Sequence, residues 1–299
     1  MVLYVIGLGL GDEKDVTVRG LEAIKSSSLV YLESYTSILS IDKEKLESYY
    51  GKEIIIADRD FVECRAEEIY EPAKGEGNHV SLLVVGDPVC ATTHTDIMIR
   101  AFELGIEVEL IHNASVMGAA GCCGLQLYTF GATISIPFFD GNWRPTSFYP
   151  KIKYNRGGGM HTLCLLDIKV KEPDFEAMKK GKIVYLPPRY MSVNVAVEQL
   201  IEAEEVEKGK AYNPDETLCV GMARLGQKDQ CIIAGTLNEL KEQDFGEPLH
   251  CMIICGEVHD LELKFLEKYL VEGSTFKSND YKTENQQEEE QHDSSSIDE

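Results

Sequence analysis

Apolar residues in the first 112 positions follow two alternating patterns. Short runs of consecutive apolar residues predict buried strands, at 1–6, 29–32, 53–57, 79–85 and 108–112. Apolar residues at helical spacing predict helices between them, at 16–27, 41–50, 63–73 and 96–104. The run 79–85 is typical of a central parallel strand that is buried on both faces. This alternation predicts βαβ units and a mostly parallel sheet, with Asp15 capping the first helix.

The second half of the chain has a different rhythm. Its predicted strands lie at 133–138, 161–168, 218–225, 231–237 and 250–255. Its predicted helices lie at 116–126, 146–155, 193–207 and 260–270. The last three strands follow one another closely, which favours antiparallel neighbours and a mixed sheet. Since a domain has roughly 150 residues, we expect the 299 residues to form two α/β domains, 1–112 and 113–272.

Charge changes the picture at the carboxyl terminus. The chain has a net charge of −22, and residues 273–299 hold eight acidic and two basic side chains with almost no apolar residue. Such a segment buries too little surface to offset its chain entropy, so we expect a disordered acidic tail. The tail's −6 leaves −16 for the rest, which predicts a solvated acidic surface or a basic protein partner. It argues against a nucleic acid partner, because phosphate backbones need clustered Lys and Arg.

Several absences narrow the class of protein. No stretch approaches the ~20 apolar residues of a membrane helix, so we expect no membrane association, and the first residues lack the features of a signal peptide. The nine cysteines are spaced neither as a disulfide framework nor as a zinc site. Reduced cysteines in a cytoplasmic protein without a metal are the simplest interpretation.

A glycine-rich stretch, VIGLGLGDEKD, follows the first predicted strand. The spacing of Gly7, Gly9 and Gly11 is not that of the dinucleotide fingerprint, and the phosphate-binding Walker pattern is missing. The adjacent Asp12 and Glu13 would repel phosphates. The glycines either ease a sharp bend or allow the backbone to approach a ligand that lacks phosphate.

Two further loops leave the predicted parallel sheet at its carboxyl edge, where ligands of open parallel sheets bind. GDPVCATTH follows the central strand and HNASVMG follows the next one. Asp87 can close an Asx turn and Ser115 can cap a helix. Both residues are therefore open to a structural role as well as to a binding role.

Seven motifs occur in order along the chain: GLGLGD, GDPVCATTH, HNASVM, GCCGLQLY, HTLCLLDIKVKE, PPRYMSVN and GEPLH. Together they closely resemble the diphthine synthase family of the tetrapyrrole-methylase-like, class III methyltransferases. The resemblance implies a homodimer of two α/β domains, with S-adenosylmethionine bound in a cleft between the domains. It also implies methylation of the 3-amino-3-carboxypropyl-histidine of translation elongation factor 2, three times on the amino nitrogen and once on the carboxylate as a methyl ester.

The resemblance further implies a set of cofactor-binding residues. They are Leu10, Asp87, Cys90, Ser115, Val116, Leu166, Leu225 and His250. Relatives commonly have glycine at position 90, so the side chain of Cys90 either crowds the pocket or points away from it.

Methyl transfer from a sulfonium to an amine requires mainly that the two reacting groups be aligned. Such alignment can lower the reaction barrier by ~7–11 kcal/mol. An α-amino group titrates near ~8, so we expect no essential catalytic base and expect His250 to hydrogen-bond the cofactor. The carboxylate of the substrate needs a local cation. Lys169, Lys171 and Arg189 are candidates, with ordinary surface solvation as the alternative, and Arg189 is favoured for its bidentate fork.

Two other functions remain open on the sequence alone. One is methylation of a tetrapyrrole by an enzyme of the same fold, against which the motifs of the second half argue. The other is a non-catalytic module that binds the cofactor without turnover. The cysteine at position 90, where relatives commonly have glycine, is the reason to consider it.

Overall fold

The structure is a computed structural model that describes residues 2–34, 42–75, 77–92, 94–182 and 184–276, without the side chains of residues 63, 175 and 176. The chain clusters into two compact units that are not contiguous in sequence. The first unit comprises residues 1–119, 168–189 and 224–230, and the second comprises the remainder. The predicted boundary at residue 112 differs from this division, because the loop after residue 112 stays with the first unit and two later segments return to it.

The first unit is built on a parallel sheet. Its strands are β1 (Val2–Gly7), β2 (Leu29–Glu33), β3 (Ile55–Ala57), β4 (His79–Val84) and β5 (Glu107–Ile111). They lie in the order β3-β2-β4-β1-β5 with parallel pairing throughout, which confirms the predicted βαβ pattern. The helices of this part are α1 (Val18–Ser26), α2 (Lys43–Tyr50), α3 (Arg59–Cys64), α4 (Glu67–Ala73), α5 (Thr95–Glu103) and α6 (Val116–Ala119).

Both faces of this sheet are buried at its central strands, which explains why β1 and β4 are nearly continuous apolar runs. Leu3 and Val5 of β1 belong to one hydrophobic cluster, whereas the next residue, Ile6, belongs to a second. The neighbours Leu82 and Leu83 of β4 divide between the same two clusters. Successive side chains of a strand point to opposite faces, so each face carries its own core, as predicted for 79–85.

The start of α1 differs from the prediction. Thr17 caps the helix, since its hydroxyl oxygen accepts the Gly20 N–H at 3.0 Å. Asp15 has a different partner: its Oδ2 accepts the Gly11 N–H at 2.8 Å. The carboxylate predicted to cap the helix therefore closes the glycine turn before it.

Two predicted helices are interrupted. The segment 63–73 falls into α3 and α4 with a break between them, and the segment 116–126 forms α6 followed by a 3₁₀ turn, Ala120–Cys123. Gly124 ends the second segment with φ +97°, a conformation that no α-helix uses. Glycine costs roughly 1 kcal/mol in a helix relative to alanine, so a glycine-rich stretch does not sustain the helix that its spacing suggests. Residue 41, the first of the helix predicted at 41–50, lies outside the described residues.

A returning segment joins the first unit from residue 168. It carries β8 (Ile168–Lys169) and α8 (Phe175–Lys179), and β8 pairs with β9 (Arg189–Tyr190) where the chain passes into the second unit. The single strand predicted at 161–168 is thus two strands, which Asp167 separates.

The second unit is built on a mixed sheet. Its strands are β6 (Ile134–Ile136), β7 (Thr162–Leu166), β10 (Leu218–Ala223), β11 (Cys231–Thr236) and β12 (His250–Ile254). They lie in the order β11-β10-β12-β7-β6. The pair β6–β7 is parallel and the other three pairs are antiparallel, as predicted for the closely spaced late strands. Its helices are α7 (Tyr149–Gly157), α9 (Val193–Glu207), α10 (Leu237–Lys241) and α11 (Asp260–Leu266).

The chain remains ordered beyond the predicted start of the tail. The carboxylate of Glu239 on α10 accepts the Thr275 N–H at 2.6 Å and the Ser274 hydroxyl at 2.8 Å. The tail predicted from residue 273 therefore begins with residues that are bound to α10, and positions 277–299 lie outside the described residues. In the part of the chain that is described, no helix combines the length and the apolar character needed to cross a bilayer.

Candidate functional site

Glycine is required where β1 ends. A Cβ atom on Gly7 would lie 2.6 Å from the carbonyl oxygen of Gly86 and 2.8 Å from Cβ of Asn113. Gly9 has φ +77°, a backbone conformation that residues other than glycine disfavour. The Gly9 N–H donates to the Gly86 carbonyl at 3.2 Å, and the Gly86 N–H donates back at 2.8 Å. The glycines therefore allow the turn after β1 to pair with the loop after β4.

The acidic residues beside this turn have partners within the chain. Glu13 is buried and lies 2.9 Å from Nζ of Lys45, whose hydrogen bond holds the pKa of Glu13 below its ordinary value. Oδ1 of Asp12 accepts the Lys14 N–H at 2.9 Å. These contacts partly neutralise the turn, so its repulsion of phosphate is weaker than the sequence suggests.

Asp87 connects the loops that follow β4 and β5. Its side chain is buried, and Oδ1 accepts the Val89 N–H at 3.0 Å, which closes the predicted Asx turn. Oδ2 accepts the Asn113 N–H at 3.0 Å and lies 2.9 Å from Nδ1 of His112. Burial raises the pKa of Asp87, but the donated hydrogen bonds outweigh it and hold the pKa below its ordinary value. The carboxylate is therefore ionised at neutral pH.

Asn113 is a structural residue that the sequence analysis missed. Its side-chain amide donates to the carbonyl oxygens of Gly7 and Asp15, both at 2.9 Å. Its Oδ1 accepts the Ala114 N–H at 2.7 Å. One side chain thus joins the end of β1, the glycine turn and the loop after β5. An asparagine just beyond the end of a strand is a signal for such side-chain to backbone bonding.

Three loops of the first unit meet at Gly86, which has φ +78°. A Cβ atom there would lie 3.8 Å from the Ala114 carbonyl oxygen and 3.9 Å from both Cδ2 of Leu10 and Cα of Ser115. A Cβ atom on Gly226 would lie 3.0 Å from Cβ of Leu10. The predicted cofactor residues gathered in this way are Leu10, Asp87, Ser115 and Leu225. Two of the three atoms nearest to the Gly86 Cβ position belong to backbone groups, so the loops meet at Gly86 largely through their backbones.

Cys90 and Val116 belong to the same loops. The Cys90 N–H donates to the Asp87 carbonyl at 3.3 Å, and its side chain is half-buried. Val116, also half-buried, is the first residue of α6. No disulfide joins any of the nine cysteines, all of which lie in the described chain, and burial raises the pKa of Cys219 and Cys251 to about 12. Among the residues described, no three His, Cys, Asp or Glu side chains are grouped as metal ligands.

Leu166 and His250 belong to the second unit. Leu166 is buried in the hydrophobic core at the end of β7. Nδ1 of His250 accepts the Val193 N–H at 3.3 Å, so Nε2 carries the ring proton. Nε2 lies 3.1 Å from the carbonyl oxygen of Gly246 and 3.0 Å from that of Glu247. A hydrogen bond from the His250 ring to a ligand requires displacement of one of these partners, and its binding role stays a prediction.

The three predicted substrate cations already have carboxylate partners. Lys171 lies 2.6 Å from Oδ2 of Asp58. Glu172 pairs through Oε2 with Arg189 at 2.9 Å and through Oε1 with Lys169 at 3.2 Å. Any of these cations must exchange its partner before it can hold a substrate carboxylate, so their role also stays a prediction.

Comparison with known sequences identifies the family. Residues 2–241 match the family model of Tetrapyrrole (Corrin/Porphyrin) Methylases. The chain belongs to this methylase family. Within it, the chain is 58% identical to a diphthine methyl ester synthase from Dictyostelium discoideum, over 91% of this chain and 99% of that protein. It is 53% identical to the diphthine methyl ester synthase from Homo sapiens, over 90% and 95% of the two chains.

Solved structures agree with the family. A crystal structure from Entamoeba histolytica, provisionally titled a diphthine synthase, superposes with a TM-score of 0.80 at 52% identity, over 90% of this chain and 98% of that one. A second diphthine synthase structure gives a TM-score of 0.77 at 32% identity, over 91% and 98%. These relatives confirm the predicted α/β methylase fold and the predicted methyltransferase activity in the synthesis of diphthamide.

Proposed function

We propose that the chain transfers methyl groups from S-adenosylmethionine to the 3-amino-3-carboxypropyl-histidine of translation elongation factor 2. The amino nitrogen receives three methyl groups and the carboxylate receives one as a methyl ester. The observation that carries the proposal is the 58% identity to a diphthine methyl ester synthase over 99% of that protein's length. Such agreement along the whole chain favours the diphthine synthase reaction over tetrapyrrole methylation.

The methyl donor supplies an electrophilic methyl group on a sulfonium. Leu10, Asp87, Cys90, Ser115, Val116 and Leu225 of the first unit would hold it, together with Leu166 and His250 of the second. The support is the meeting of three loops at Gly86, which brings the predicted residues of those loops together, and the contact of Gly226 with Leu10. The residues of this chain then act by orientation and by exclusion of water, and alignment of this kind can contribute ~7–11 kcal/mol.

The proposal includes a homodimer in the cytoplasm. Three aromatic side chains of the second unit, Tyr128, Trp143 and Tyr154, are 90%, 56% and 75% exposed, and large exposed aromatics are enriched at protein interfaces. Free thiols fit a reducing compartment. Light scattering of the purified protein tests the dimer.

Mass spectrometry of the substrate protein tests the reaction. Elongation factor 2 that carries the unmethylated 3-amino-3-carboxypropyl group is incubated with the chain and S-adenosylmethionine. We expect mass increments of one methyl group at the modified histidine, and none when the methyl donor is omitted. A porphyrinogen is offered in parallel. Its methylation without that of elongation factor 2 would assign the chain to tetrapyrroles, and cofactor binding with neither reaction would make it a binding module.

A further inference from the structure

A histidine and a carboxylate form a pair at the carboxyl edge of the parallel sheet. His112 directly follows β5 and Asp87 lies in the loop after β4, and Nδ1 of His112 is 2.9 Å from Oδ2 of Asp87. The side chain of His112 is 64% exposed, whereas that of Asp87 is 5% exposed. The pair therefore presents one side of the imidazole to solvent beside the residues predicted to bind the cofactor.

The hydrogen bonds of Asp87 determine which ring nitrogen of His112 carries the proton. Oδ2 of Asp87 also accepts the Asn113 N–H at 3.0 Å, and an ionised carboxylate can only accept hydrogen bonds. Nδ1 of His112 must then be the donor. In the neutral ring this leaves the lone pair on Nε2, on the exposed side of the ring.

Repeated methylation of an amine releases protons. A neutral primary amine that gains a methyl group becomes a cationic secondary ammonium, which cannot attack again until it loses a proton. The same holds after the second methyl group, whereas the third leaves a quaternary nitrogen with no proton. Methylation of a carboxylate releases none. A base at the site would therefore act on the nitrogen steps and not on the ester step.

We propose that Nε2 of His112 is this base, and that Asp87 orients its ring. The inference rests on the proposed function and replaces the expectation that no base is needed. In each of the first two steps the amine lone pair bonds to the methyl carbon, the carbon–sulfur bond breaks, and its electron pair stays on sulfur. The ammonium proton then passes to Nε2. Asp87 stabilises the imidazolium, and exposure of the ring lets the proton leave to solvent.

Other histidines of the chain are less suited to this role. His250 is fixed by backbone groups at both ring nitrogens, and His94 is 1% exposed. His112 combines exposure with an orienting carboxylate, the arrangement found for general bases that are held in one tautomer.

Nitrogen NMR of the protein without substrate tests the geometry. With imidazole nitrogens labelled, we expect neutral His112 to carry its proton on Nδ1. In Asp87→Asn the acceptor is weakened, and the two tautomers should mix. A proton on Nε2 in the wild-type protein would overturn the proposal without reference to any activity.

A pair of matched variants tests the chemistry. His112→Asn keeps an amide donor toward Asp87 and removes Nε2. His259→Asn makes the same change at an exposed helix cap of α11, where asparagine is a favoured residue. We expect His112→Asn to slow the second and third nitrogen methylations about 100-fold or more, to spare methylation of the carboxylate, and to leave affinity for S-adenosylhomocysteine unchanged. His259→Asn should behave as the wild-type protein.

Chemical rescue separates a base from a structural residue. Imidazole added to His112→Ala should restore the slow nitrogen steps, because it supplies the missing base in solution. Equal rates in His112→Asn and the wild type, or loss of every step together with cofactor affinity and without rescue, would overturn the proposal. Failure of the proposed function is a different result, since the wild-type protein would then leave elongation factor 2 unmethylated.

Discussion

Asp87 has a structural role that its hydrogen bonds show and a binding role that we propose. The sequence left two roles open for it, closure of a turn and contact with a ligand. The structure confirms the turn, through Val89, and adds hydrogen bonds to the next loop, through Asn113 and His112. A carboxylate that joins the loops after β4 and β5 would position the candidate site even without touching a ligand.

We predict that Asp87→Ala lowers both cofactor affinity and stability. Removal of a charged hydrogen-bond acceptor should weaken binding of S-adenosylhomocysteine by ~1.5–3 kcal/mol, and the buried N–H groups left without a partner should cost a further ~1–3 kcal/mol of stability. Calorimetry and urea unfolding measure the two effects. Asp60→Ala, at a surface carboxylate on α3, is the matched control and should change neither. An unchanged affinity in Asp87→Ala would leave Asp87 with its structural role alone.

The stability difference has a defined pH dependence. The pKa of Asp87 is held below its ordinary value in the folded protein, so its ionised form stabilises the fold above the unfolded pKa of about 3.9. That contribution is lost as pH falls through the folded pKa. The part of the unfolding free energy that the Asp87 carboxylate contributes should therefore be lost in acid, and the difference between the wild type and Asp87→Ala should shrink as pH falls below about 4. A difference that grew below that pH would contradict this account.

Elements were predictable where burial produces a simple pattern. The central strands of the first unit are recognisable in the sequence because both of their faces are covered, and their parallel order follows from the alternating helices. The helix predicted at 116–126 was wrong after Ala119, because spacing alone does not register the cost of three glycines. Whether Asp15 or Thr17 caps α1 depends on which backbone N–H each side chain accepts. The spacing of apolar residues does not contain that information.

The candidate site was predictable as a location more than as a set of contacts. The rule that ligands bind at the carboxyl ends of parallel strands placed the loops of Asp87 and Ser115 at one edge. The bonds of Asn113 to Gly7 and Asp15 join residues about a hundred positions apart, and no local pattern predicts them. The same holds for the return of residues 168–189 and 224–230 to the first unit.

The β8–β9 segment allows a test of the proposed substrate anchor. Because Glu172 competes with a substrate carboxylate for Arg189 and Lys169, we predict that Arg189→Ala raises the Michaelis constant for elongation factor 2, while Glu172→Gln lowers it. Cofactor affinity should stay unchanged in both. Steady-state methylation at physiological salt gives the constants. Glu71→Gln, which breaks the exposed pair with Lys74, is the matched control.

The anchor hypothesis has a clear failure. If Arg189→Ala and the alanine variants of Lys169 and Lys171 methylate with wild-type kinetics, the carboxylate is held elsewhere. The ion pairs of these residues would then be surface pairs, which contribute roughly 0–1 kcal/mol each.

At the scale of the whole molecule, the contacts of residues 274 and 275 with α10 define two truncations of the acidic carboxyl terminus. Glu239 is half-buried and binds Ser274 and Thr275. Burial raises the pKa of Glu239, yet these hydrogen bonds and that of Thr236 hold it below its ordinary value.

We predict that a chain ending at residue 276 methylates elongation factor 2 as the full chain does, although its net charge changes from −22 to −16. A chain ending at residue 272 should lose ~1–3 kcal/mol of stability, since the Glu239 carboxylate loses its hydrogen bonds to Ser274 and Thr275. Urea unfolding and steady-state methylation of both truncations are the measurements. Reduced methylation by the 276-residue chain at unchanged stability would instead show that residues 277–299 recruit the substrate, and its dependence on salt would reveal whether their charge does so.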